Sequence, residues 1–305
     1  MRLHSGVRLV AFLALALAFA PTVTGQDSKS DAKYKFRKGD VLKYEVTSSL
    51  EASQVGTHPA FLQNGNDKPL SWTVNGTFEN KVLEVNDGDG TAQLQRSVKS
   101  ISSSGHVQDE KFKYSWSEEK DKGKPDESKV TNLMDRFIVS MICHPATYSV
   151  DTEGKADNFL VEGNPAADLK RLVMRRGMMT WPVRPNEMSW VTIDEIALPV
   201  LHDKIKIEFK NTVTQDASGG GAKIRKITAA ASLKEAHKTE GFGFEGLTFQ
   251  VSGQAKAEFD MTNGRLHKLD IDLTIRFSGK GAVPDGGDGD IKGVATYKET
   301  QVYKD

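Results

Sequence analysis

Residues 268–277 read KLDIDLTIRF, in which Leu269, Ile271, Leu273, Ile275 and Phe277 alternate with Asp270, Asp272, Thr274 and Arg276. Successive side chains of a β-strand point to opposite faces, so this spacing predicts a strand with one apolar and one wetted face. The preceding run repeats the pattern in Val251, Gly253, Ala255, Ala257 and Phe259. Asn263-Gly264 stands between the two runs and supplies the positive backbone angles of a tight hairpin turn. Two long one-sided strands joined this way predict an antiparallel sheet, because such sheets commonly pack one face and wet the other.

The pattern extends in both directions. Ile205, Ile207 and Phe209 alternate, as do Phe112, Tyr114 and Trp116, and Trp72, Val74, Gly76 and Phe78. Leu42, Tyr44 and Val46 open the series, and residues 82–101 form a hairpin pattern turning at Asp87-Gly88-Asp89-Gly90. The middle differs. From Val130, apolar residues recur at Leu133, Met134, Phe137, Ile138, Met141 and Ile142, a helical stripe with Ser128 as its cap and Pro145 as its stop. Asn164-Pro165 announces a second helix through Leu169, Leu172 and Val173 to Gly177. Between them, residues 147–162 read as a hairpin turning at 151–154.

These elements predict a mainly β (α+β) protein. Two tandem β-rich halves of antiparallel, curved sheet, residues 34–180 and 181–305, have two amphipathic helices between them. The boundary falls in 180–189 (TWPVRPNEMS), where prolines break both periodicities. Residues 150–155 and 259–265 share an apolar-Asp-turn-Gly-basic pattern, which fits related tandem domains and equally any pair of hairpins.

The start of the chain has a separate character. Arg2 and Arg8 precede the uninterrupted apolar run Leu9–Ala20, and Val23-Thr24-Gly25 places small residues before Gln26. This is the pattern of a cleavable signal peptide over 1–25, followed by a polar linker over 26–33. Export to the periplasm or beyond the cell is the expectation, with no integral membrane segment after cleavage. The chain has 41 basic and 41 acidic residues, a balance that offers nucleic acid no basic face. Its single cysteine, Cys143, excludes an internal disulfide.

Tyr34–Val46 (YKFRKGDVLKYEV), the hairpin at 82–101, Trp181-Pro182 with Ser189-Trp190, and Asn263-Gly264-Arg265-Leu266 together resemble a bacterial exported family. That family is uncharacterised in function and frequent in planctomycete-like genomes. Its members commonly begin their second half with a Gly-Asp-Ser-Trp-like motif, where this chain has Asn186-Glu187-Met188-Ser189-Trp190. The resemblance implies an exported β-rich fold and brings no catalytic residues. It is similar in style to half-barrel envelope proteins that hold lipids, an analogy of fold alone.

Candidate chemistry is sparse. Cys143-His144 sets a nucleophile beside a base, but helical neighbours point about 100° apart and read as structural. No two histidines stand at the three-to-four spacing of helical zinc sites. Asp285, Asp288 and Asp290 read as a solvated loop, without the twelve-residue frame of a calcium hand. Asn75-Gly76-Thr77 matches a glycosylation sequon without further support. Lys170, Arg171 and Arg175 read as a solvated helix face, with an anionic headgroup as the sharper reading. No cofactor, metal site or catalytic residue is expected. The leading expectation is a non-enzymatic exported binding or carrier protein of the cell envelope, with a lipid or another apolar molecule as its ligand. The ligand-lining candidates are Phe209, Val251, Phe259, Leu269, Ile271, Leu273, Ile275 and Phe277. The alternative is a structural or adaptor protein acting through its surface and sheet edges.

Overall fold

The computed structural model describes residues 32–56, 70–107, 110–121, 123–130, 133–162, 180–198, 203–219, 222–234, 237–241, 244–282 and 288–304. Thirteen strands are found among them: β1 (Val41–Gly56), β2 (Leu70–Val85), β3 (Ala92–Val107), β4 (Glu110–Ser117), β5 (Ala146–Val150), β6 (Ala156–Val161), β7 (Ser189–Leu198), β8 (Asp203–Gly219), β9 (Ala222–Leu233), β10 (His237–Gly241), β11 (Phe244–Asp260), β12 (Arg265–Ala282) and β13 (Asp288–Lys304). All belong to one sheet in the order β6-β5-β3-β2-β1-β13-β12-β11-β9-β8-β7, with β4 added beside β3 and β10 beside β11. Every pairing is antiparallel, and β2–β3, β5–β6 and β11–β12 are hairpins closed by short Gly- and Asp-bearing turns.

The alternation read from the sequence is the alternation of burial. Leu269 to Phe277 on β12 are buried at every second position, and Asp270, Asp272 and Thr274 between them are partly wetted. Their partners on β11 are Ala257, Ala255, Gly253, Val251 and Phe249 in turn. One apolar cluster collects inward residues from β1, β2, β3, β8, β9, β11, β12 and β13.

A flat sheet could not gather them. β5 and β8 stand eight places apart in the strand order, or ~38 Å at the usual spacing of ~4.8 Å. Yet the Val183 N–H donates to the Glu153 carbonyl in the β5–β6 turn at 3.0 Å. Trp181, two residues earlier, meets Phe209 of β8 edge-on, with ring centroids 5.3 Å apart. Three residues of extended chain span at most ~11 Å, so the sheet curls until its two ends approach each other. Its apolar face becomes the interior.

The sequence expectations need two corrections. The two β-rich halves are not separate sheets: β1 pairs with β13 from Lys43 opposite Lys304 to Gly56 opposite Ile291, which makes the sheet continuous. Secondly, the first of the two amphipathic helices expected between them starts later than its apolar stripe. Among the described residues there is a single α-helix, α1 (Leu133–Cys143), preceded by a 3-10 turn at Glu127–Lys129. Asp126, and not Ser128, caps that turn by accepting from the Ser128 N–H. The helical stripe therefore starts later than its apolar spacing suggests, since cap chemistry near 126–129 serves the turn. Ile138, Val139, Met141 and Ile142 of α1 are buried. The second expected helix, with Lys170, Arg171 and Arg175, lies outside the described residues, as do residues 1–31.

Candidate ligand-binding interior

The stopper at one end of the curled sheet is built from Tyr34 and Trp181. The Tyr34 N–H donates to the Thr152 carbonyl in the β5–β6 turn at 2.8 Å, and the next N–H, of Lys35, to Gly264 in the β11–β12 turn at 2.9 Å. These bonds draw the segment before β1 across one end of the curled sheet. There the Tyr34 hydroxyl donates to the Trp181 carbonyl at 3.0 Å and accepts from the Trp181 N–H at 2.9 Å. Its ring meets Phe259 of β11 edge-on at 4.9 Å. Trp181 Nε1 in turn donates to Asn211 Oδ1 on β8 at 3.2 Å. Gly154 passes beneath at φ +85, where a β-carbon would lie 2.8 Å from the Trp181 carbonyl oxygen. Only glycine suits both that backbone and that space. Burial drives the Tyr34 hydroxyl above the usual tyrosine range, so it remains a protonated donor.

The adjoining segment is fixed as firmly. Arg225 on β9 donates to the Arg184 and Pro185 carbonyls at 3.0 and 2.8 Å, while Nε and Nη2 grip Asp216 of β8 at 3.0 Å each. A planar guanidinium that joins a carboxylate to two carbonyls ties β8, β9 and the 180–188 segment together.

Above the stopper, the eight ligand-lining candidates share the inner face. Phe209, Val251, Phe259, Leu269, Ile271, Leu273, Ile275 and Phe277 are between 0 and 7% exposed, and all belong to the one apolar cluster. The structure therefore brings them together.

Sequence reasoning passed over the polar members of that interior. On β13, Tyr297, Glu299 and Gln301 point inward in succession and are 1, 8 and 4% exposed. The Tyr297 hydroxyl donates to Glu299 Oε2, and Gln301 Nε2 donates to Glu299 Oε1. On the same inner face, toward the β5 end of the sheet, buried Arg96 of β3 stands near Tyr148 of β5; burial lowers its guanidinium to about 10 against the opposing influence of that tyrosine. The Tyr148 hydroxyl donates to Asn80 Oδ1 at 2.7 Å. The signal for Glu299 and Gln301 was present in the alternation Ala295, Tyr297, Glu299, Gln301, Tyr303, whose polar members disguise an inward row.

The outer face offers a different surface. A shallow trough of about 510 Å³ runs over β1, β2, β3 and β4, walled by Thr47, Asn75, Thr77, Ser100, Ser102 and Ser115. Thr47 Oγ1 donates to Asn75 Oδ1 at 2.9 Å, which engages the asparagine of the glycosylation-like triplet. None of the eight inward candidates touches this trough.

Cys143 and His144 do not cooperate. The thiol donates to the Pro125 carbonyl at 3.3 Å. The imidazole Nδ1 stands 2.7 Å from the Glu162 carbonyl and Nε2 2.9 Å from Glu127 Oε2. Ser140 Oγ donates to the other Glu127 oxygen at 2.6 Å. Burial first, and the Glu127 charge second, raise the Cys143 pKa, which keeps the thiol protonated and weakly nucleophilic. For Glu127, burial acts upward but is outweighed by the Ser140 and His144 hydrogen bonds, so its carboxyl is held below its usual value. The group clamps α1 to the turn before it. No set of three or more His, Cys, Asp or Glu side chains is placed to hold a metal among the described residues. Asp285, of the acidic loop, lies outside them.

No protein-family model and no curated protein matches this chain. Among solved structures, an outer membrane channel from Pseudomonas putida F1 aligns over 92% of this chain and 100% of its own, at 9% identity and a TM-score of 0.19. So low a score makes that channel no guide to fold or role. No described helix is long and apolar enough to cross a membrane, which says nothing of strands.

Proposed function

We propose that this chain is a non-enzymatic, exported binding or carrier protein of the cell envelope, holding an apolar or amphipathic ligand inside the curled sheet. The observation that supports this reading is the shape of the apolar face. A sheet of thirteen strands among the described residues turns its apolar side inward and is stoppered at one end by Tyr34 and Trp181. Concave apolar surfaces with a few placed polar groups are the usual form of a small-molecule site. The inward row on β11 and β9 is built of small side chains, Ala255, Ala257, Ala229 and Ala231, beside the larger Leu269 and Ile271.

Native mass spectrometry of the protein purified from its own envelope fraction, followed by solvent extraction, tests the proposal. The expected result is a reproducible co-purifying apolar or amphipathic molecule. A clean mass of the bare chain, unchanged on addition of envelope lipids, would overturn it.

One observation favours the structural or adaptor reading. Both edge strands carry exposed apolar residues, Leu160 on β6 at 64% and Val191 on β7 at 44%. Unpaired edges are templates for a further strand. Single exposed apolar residues are nevertheless common on any surface, so this reading comes second.

A further inference from the structure

We infer that Glu299 and Gln301 form a polar anchor inside the sheet for an amphiphile with an ammonium headgroup and an apolar tail. The inference rests on the carrier reading and names the ligand chemistry that reading leaves open.

Glu299 is 92% buried, on the inner face of β13 between Ser48 of β1 and Ile271 of β12. Its carboxylate receives neutral donors only, the Tyr297 hydroxyl and the Gln301 amide. No cationic side chain pairs with it among the described residues. Buried carboxylates are ordinarily paired with a cation or hydrogen-bonded at all their acceptor positions. Two donors leave two of the roughly four lone-pair positions of this group open.

Gln301 gives the second and independent observation. Its amide nitrogen must face Glu299, because the carbonyl would repel a carboxylate. Its Oε1 is therefore turned away, and that buried atom has no hydrogen-bond partner. An orphaned buried acceptor costs roughly 1–3 kcal/mol, a penalty that a donor from a ligand would remove. The carboxyl oxygens and the amide oxygen together present acceptors to the interior. The complementary group is a cation with several N–H donors, which describes an ammonium and excludes a carboxylate or phosphate head.

The surroundings suit the remainder of such a molecule. In register with Glu299 across the inner face come Ile271, Ala255, Ala229, Asn211 and Trp190. The two alanines project a methyl group each. At the end of this row the Trp190 indole N–H is likewise buried without an acceptor. Polar atoms left unpaired at the two ends of a row that includes Ile271 and two alanines are the arrangement an amphiphile completes.

The test compares dodecylamine, dodecanol and dodecanoate, below their micelle concentrations, by isothermal titration of the purified chain near pH 7. Tail length is constant, so the headgroup alone differs. Dodecylamine is expected to bind at least tenfold more tightly than dodecanol, and dodecanoate most weakly. Glu299→Gln keeps the size of the side chain while replacing one acceptor oxygen by a donor, and is expected to bring amine binding down to the level of the alcohol. If the three bind the wild-type chain equally, or dodecanoate binds best, the anchor is overturned and the carrier reading stands. If none binds, the carrier reading fails with it. The wild-type comparison decides the matter even if the substituted chain does not fold.

Discussion

The Tyr34 hydroxyl both donates to and accepts from the Trp181 backbone, at 3.0 and 2.9 Å, inside a fully buried setting. Phenylalanine at this position would keep the ring against Phe259 and lose only the oxygen. A buried carbonyl and a buried N–H would then stand unpaired, at a cost of about 1–3 kcal/mol. Tyr34→Phe is therefore expected to lower the urea midpoint without changing the slope of the transition. An unchanged midpoint would mean that the ends of the sheet are held together elsewhere. Arg225 is a second residue of this kind, one guanidinium serving a carboxylate and two carbonyls. Neither role was legible in the sequence, because Tyr34 sits in an unpatterned approach to β1 and its partners are 147 residues away. Periodicity reports which face a residue occupies and says nothing of distant hydrogen bonds.

On β13, Gly293 lies opposite Phe277 of β12. A β-carbon at 293 would overlap three ring carbons of Phe277, all of them closer than 3.0 Å. Gly293→Ala is expected to destabilise the protein by about 1–3 kcal/mol through overpacking, measured by chemical denaturation. Combining it with Phe277→Leu should recover part of that loss, whereas additive losses would show that the ring is not the obstacle. At this scale the sequence was informative for β11 and β12, whose clean alternation and Asn263-Gly264 turn fixed strand, face and partner at once. It was weaker for β13, where Glu299 and Gln301 occupy inward positions and blur the apolar row that would reveal the strand. The same substitution of polar for apolar that hid the strand makes it the candidate anchor. The helical stripe at 130–142 was found, but its start was not, since Asp126 spends its cap on a separate turn.

Taken whole, the described strands form one sheet, and the boundary at 180–189 is a stretch of chain that crosses between its two ends. If residues 34–180 and 181–305 are produced separately, each is expected to lack a cooperative unfolding transition. Each would expose a long strand, β1 or β13, whose partner belongs to the other piece. The intact chain should unfold with coincident transitions by far-ultraviolet circular dichroism and by tryptophan fluorescence, which samples Trp72 and Trp116 as well as Trp181 and Trp190. Two separated transitions would restore the tandem-domain picture. No local pattern announces the β1–β13 pairing, because alternation specifies that a strand needs neighbours without specifying which. That pairing also sets a timetable. Lys43, near the first strand's start, must wait for Lys304, near the last strand's end, before either edge is satisfied. Contacts so distant along the chain close late and slowly. The newly made polypeptide therefore stays open until β13 has emerged, a delay during which a chaperone finds β1 still unpaired.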